Sequence, residues 1–189
     1  MQLSLVFDAL REPEAFTVRW GLEQECPPAV LGALAGTAAF GVGTYGTMLH
    51  AWRGGAEAIS RGLGAAIAAG LGWSAAMPAL IILGGLLGSK LTPRATALAS
   101  LVTVSFGGLA MLASVPVLWF FELTTLGSPH ARAFALIAAT LGVGLCMTDV
   151  FLRVMRAVGG SRFFNVLWFG LFGALSLEMF ILFGLHQIR

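Results

Sequence analysis

The chain has 189 residues, 58% of them hydrophobic, with another 25 glycines outside that count and only 11% charged. A soluble domain carries about 25% charged residues to cover its surface, so the composition argues against a water-soluble globule and for a chain that lives in lipid. A net charge of +2, from 11 basic and 9 acidic residues, is too small for a nucleic-acid footprint.

Residues 1–26 are the one stretch with soluble character. Leu5, Phe7, Leu10, Phe16, Val18, Trp20 and Leu22 are interleaved with Asp8, Arg11, Glu12, Glu14, Arg19 and Glu23. Acidic residues this early, with no small-residue cleavage site behind a positive region, do not read as a signal peptide. The first apolar helix is then the expected insertion signal. Pro13 is expected to open a second short helix. Two placements of this segment stay open: lying in the membrane interface with Phe and Trp dipping in, or packed as short helices on the bundle's end. Pro27 and Pro28 close it and suit the start of the next helix.

Residues 27–189 form the expected transmembrane domain. Five apolar segments run from about Ala29 to Leu49, Leu63 to Leu87, Ala95 to Phe121, Ala133 to Leu152 and Phe163 to Leu185. Each is long enough, at about 1.5 Å per residue, to cross a hydrocarbon layer of roughly 30 Å. With five spans, Arg11, Arg19, Lys90, Arg94, Arg153, Arg156 and Arg162 fall on the N-terminal side, and Arg53, Arg61, Arg132 and Arg189 on the other. The positive-inside rule then places the N-terminus in the cytoplasm and the C-terminus outside.

Lipid supplies no hydrophobic force between helices already inserted, so they associate by close packing, which small residues permit. The first span carries Gly32 and Gly36, then Gly41, Gly43 and Gly46, and the second carries Gly84 and Gly88. Pro78 and Pro116 lie inside the second and third spans, where each removes a backbone hydrogen bond and is expected to kink its helix. Trp119, Phe120 and Phe121, with Trp52, fit an interfacial aromatic belt.

The residue with the most chemical content is Glu178, inside the fifth span between Leu177 and Met179. A carboxylate there is protonated, paired or facing a polar cavity, which makes it either a proton or cation site or a hydrogen bond that fixes helix register. Asp149 and Arg153 are four apart and able to pair on one helical face. Arg153, Arg156 and Arg162, with Trp20, are candidate contacts for lipid or a partner, although three arginines fall short of the 4–8 basic residues typical of a lipid-binding cluster. Glu57 and Arg61 form a further i, i+4 pair, and Gly54 with Gly55 breaks the helix before them.

His50, His130 and His186 lie in separate segments, and Cys26 and Cys146 are far apart, so no metal site is expected. No arrangement of Ser, Cys and His suggests a nucleophile, and no glycine-rich loop ends in a phosphate-binding Lys. No cofactor is expected, and enzymatic chemistry has little to stand on.

Tyr45 and Gly46, the stretch PALIILGGLLG from Pro78 to Gly88 followed by a short Lys and Arg turn, and PVLWFF from Pro116 to Phe121 are together similar to the Yip1-like membrane proteins, in particular their bacterial members. The resemblance covers about residues 40–122. It implies an N-terminal segment followed by five spans, and a non-enzymatic scaffold or adaptor role through protein partners. Only residues 1–26 precede the first span, in place of the long polar N-terminal domain of many eukaryotic members.

The expectation is therefore an all-α polytopic helical bundle of five transmembrane helices with a short amphipathic N-terminal segment. It is placed in the bacterial inner membrane, as a scaffold or accessory subunit in contact with lipids and with other membrane subunits or itself. The competing expectation is a small ion-coupled permease using Glu178, with Pro78 and Pro116 as bend points. A lipid-modifying enzyme is a third, weaker reading.

Overall fold

A computed structural model describes residues 2–51, 54–86, 91–124 and 129–159, and the two helical positions 166 and 170. Arg162, Glu178 and, apart from those two positions, the fifth apolar segment lie outside the described residues. The described elements are all helical. They are α1 (Gln2–Arg11), α2 (Pro13–Val18), a π-helical turn (Arg19–Glu23), α3 (Pro28–Leu49), α4 (Gly55–Leu86), α5 (Pro93–Thr124) and α6 (Pro129–Ala157).

The helix boundaries follow local chemistry. Pro13 opens α2 and Pro28 opens α3, positions where a missing N–H is no loss because the first helical donors have no partner anyway. The α3 helix ends at Leu49, and the His50 Nδ1 sits 2.8 Å from the Gly46 carbonyl oxygen, closing off one terminal acceptor. Gly54 then turns the chain at φ +100°, a left-handed conformation that glycine adopts without a Cβ clash.

Three of these helices, Pro28–Leu49, Gly55–Ala79 and Pro93–Phe121, are long and apolar enough to cross a membrane. The chain is a helical transmembrane protein. The fourth apolar segment forms most of α6. Pro78 and Pro116 lie within the continuous spans of α4 and α5. Each leaves the carbonyl four residues back, at Ser74 and at Leu112, without its helical donor.

Glycine sets how the helices meet. α3 and α5 run parallel, and a Cβ built on Gly41 would collide with the Gly108 backbone, reaching within 2.6 Å of its Cα. From the other side, a Cβ on Gly108 would lie 2.7 Å from the Ala38 Cα. At this crossing the two backbones are in contact with no side chain between them. α3 and α4 run antiparallel, with Gly46 against Gly62 and Ala65, while a Cβ on Gly107 would strike the Met147 side chain of α6. By contrast, Gly32 and Gly36 face open space.

Close approach also brings polar groups into reach. Ser105 of α5 is fully buried and its hydroxyl lies 2.8 Å from the Leu34 carbonyl of α3 and 2.8 Å from its own Leu101 carbonyl. A hydrogen bond between helices in a membrane contributes about 0.6 kcal/mol, so this one orients α3 and α5 while packing supplies most of the attraction. A second cluster joins Ala76 and Met77 of α4 to Val150, Phe151, Val154 and Met155 of α6.

Candidate functional site

The N-terminal segment packs on one end of the bundle. Phe16 and Ala9 are buried in a cluster with Val30 and Leu34 of α3 and Leu98, Leu101 and Val102 of α5. Thr17 is buried beside them and donates its hydroxyl to the Pro13 carbonyl at 2.7 Å. Of the two placements left open by the sequence, this one buries apolar side chains against the spans. Phe7 and Leu22 remain exposed on the outer surface of the segment.

Two arginines from the long helices clasp the segment. Arg94, in the first turn of α5, donates to the Trp20 carbonyl at 3.3 Å and to the Gln24 carbonyl, and stands 3.7 Å from the Glu25 carboxylate. These acceptors belong to the C-terminal end of the π turn, where carbonyls have no helical donor and a cation is favoured. Arg153, near the end of α6, lies 3.3 Å from Glu14 and 3.0 Å from Asp149. The start of α5, the end of α6 and the N-terminal segment therefore converge on the same end of the molecule.

Beside this end, burial pushes the Cys26 thiol up from its ordinary value, against a smaller opposing pull from the Arg94 guanidinium. A neutral, poorly nucleophilic thiol follows, in keeping with a packing role.

A cleft of about 160 Å³ opens in the outer surface of the segment, lined by Leu5, Asp8, Glu12, Phe16, Arg19 and Trp20. Its floor is aromatic, with the Phe16 and Trp20 rings 6.3 Å apart. The Arg19 guanidinium is held 5.4 Å above the Trp20 ring. Asp8 and Glu12 are both exposed. Among the described residues neither carboxylate has an ion-pair partner.

The remaining candidate residues are dispersed. Arg156 is exposed one turn beyond Arg153, whereas Pro78 and Pro116 sit on separate helices at the lipid-facing surface. His50 and the Glu57–Arg61 pair, bonded at 3.1 Å, belong to the opposite end, near the α3–α4 turn. The outer surface carries an apolar row on α4 (Ile59, Leu63, Ile67, Leu71) and another on α6 (Phe134, Ile137, Leu141, Leu145).

Sequence reading finds Asp149 and Arg153 by their spacing and misses the clasp, because Arg94 lies 70 and 74 positions from its carbonyl partners. It also misses the π turn, which has no composition signature.

Fold and site define a helical transmembrane protein whose N-terminal segment is clamped to one end of its bundle. Comparison with protein-family models, with curated proteins and with solved structures finds no match to the chain.

Proposed function

We propose that this protein is a non-enzymatic membrane scaffold or accessory subunit, crossing the bacterial inner membrane five times with its N-terminus in the cytoplasm. The observation that carries the reading is how the described helices use their polar groups. Among the described residues the buried serine and threonine hydroxyls, on Thr17, Thr96, Ser100, Thr103 and Ser105, all close onto backbone carbonyls, while the buried Tyr45 hydroxyl and Trp73 indole nitrogen have no hydrogen-bond partner there. No charged side chain that the structure describes is buried.

A conduction or transport path needs polar groups that face a substrate, and in the described residues the buried serine and threonine hydroxyls are taken up by carbonyls of their own helix, Ser105 reaching also to Leu34 of α3. The helices hold their shape by glycine contact and present broad apolar rows outward, as a subunit packed among lipids and neighbours would. Convergence of Arg94 and Arg153 on the N-terminal end supports the cytoplasmic placement, since that side gathers the basic residues. The Yip1-like resemblance points to the same scaffold or adaptor role.

The test is extraction of the native protein from its own membranes in mild detergent, followed by gel filtration and mass spectrometry. A partner retained at fixed ratio is expected, and a chain that elutes alone or only with itself would overturn the subunit reading.

The competing permease reading rests on Glu178 in its apolar segment. It requires that Glu178→Gln abolish flux in proteoliposomes at normal abundance.

A further inference from the structure

The cleft in the N-terminal segment has a charge pattern that the scaffold reading does not use. Asp8, in the last turn of α1, and Glu12, which follows α1 and caps α2, both line the cleft, so two like charges share it. Across the cleft stands one guanidinium, Arg19, fixed by stacking on Trp20. The chain enters a π-helical turn at Arg19, and such turns recur where a side chain has been re-aimed for function. The cleft thus offers a negative pocket and a single positive arm over an aromatic floor, on a segment packed beside the ends of transmembrane helices.

We propose that this cleft holds the headgroup of an aminophospholipid, its primary ammonium between Asp8 and Glu12 and its phosphate on the Arg19 guanidinium. The alternatives fit less well. An anionic headgroup without an amine would meet two carboxylates and one arginine, a net repulsion. A quaternary ammonium is recognised by open aromatic faces, and Arg19 already covers the Trp20 ring. A primary ammonium brings three N–H donors, which two carboxylates can accept. Exposed Phe7 and Leu22 on the same segment give the acyl region an apolar contact. The proposal requires only that the protein sit in a membrane, and it stands or falls apart from any partner subunit.

The test is native mass spectrometry of the full chain in detergent, titrated with phosphatidylethanolamine, phosphatidylcholine and phosphatidylglycerol of matched acyl chains. Retention of phosphatidylethanolamine at least tenfold above the other two is expected. Asp8→Asn with Glu12→Gln should remove that preference, while Glu23→Gln, outside the cleft, should keep it. Equal retention of the three lipids, stronger retention of phosphatidylglycerol, or a preference that survives the double substitution would overturn the site.

If the double variant does not fold, the wild-type chain still decides. Soluble glycerophosphoethanolamine should displace the bound lipid and glycerophosphocholine should not. Failure of both, or displacement only by a lysine-bearing peptide, would reject a lipid headgroup as the occupant.

Discussion

α4 and α5 are both 32 residues long, both apolar and both interrupted by one proline, yet they occupy opposite situations. α5 is buried continuously from Leu98 to Thr103, touches α3 backbone to backbone at Gly108, and receives Met147 of α6 at Gly107. α4 is buried only at scattered positions, among them Ala58, Gly62, Ala76 and Met77, and turns Ile59, Leu63, Ile67 and Leu71 outward. Large apolar side chains therefore mark the outside of α4, while small residues, Gly62 on α4 and Gly107 and Gly108 on α5, mark the points where the helices come closest. In water the reverse pattern would hold. In lipid the apolar surroundings reward neither face, so contact distance decides which side is internal.

The sharpest way to break that comparison is to fill the α3–α5 crossing. Gly108→Leu is expected to destabilise the bundle by about 3 kcal/mol or more, because its Cβ would meet the α3 backbone and not a movable side chain. Loss of folded, detergent-extractable protein would show it. Gly36→Leu, one helical face away in α3 and open to lipid, should be nearly neutral in the same assay.

A smaller effect is expected at the clasp. Arg94→Ala removes charge-assisted bonds to Trp20 and Gln24 from a partly exposed side chain, an effect of about 1 kcal/mol after allowance for solvent screening. It should speed proteolysis within residues 1–26 several-fold while leaving cleavage of the spans unchanged.

Ser105→Ala should cost about 0.6 kcal/mol, read as a small drop in the midpoint of thermal unfolding in detergent. A much larger loss would mean that hydrogen bonding, and not contact distance, joins α3 to α5.

The smallest effect concerns reactivity. Since burial raises the Cys26 thiol, thiolate is depleted at neutral pH, and its alkylation rate should keep climbing past pH 9.0, where an ordinary thiol begins to level off. A plateau below that pH would indicate an exposed residue.

Much of this was legible in the residues. Apolar length and scarce charge give the helical transmembrane class, and Pro13 and Pro28 mark two helix starts. The glycines were harder. Gly32–Gly36 and Gly41–Gly46 look alike as small-residue stripes, but only the second meets other helices, Gly46 against Gly62 and Ala65 of α4 and Gly41 against Gly108 of α5, more than sixty positions away. The same distance hides the clasp. Arg94 reads locally as a topology charge, and only folding brings it under the π turn. The cleft is hidden for another reason, because its charges interrupt an amphipathic pattern and read as irregularity until α1 and the π turn are placed side by side.

The outward face of α4 and the internal face of α5 can be compared directly by spin labelling in lipid bilayers. Single cysteines at Leu71, 53% exposed, and Leu101, 8% exposed, in a background of Cys26→Ser and Cys146→Ser, would be probed for collisions with dissolved oxygen. A label at position 71 that is freely reached by oxygen and one at 101 that is shielded is the predicted result. Equal accessibility, or the reverse order, would contradict the assignment of α5 as the internal helix and α4 as the outer one.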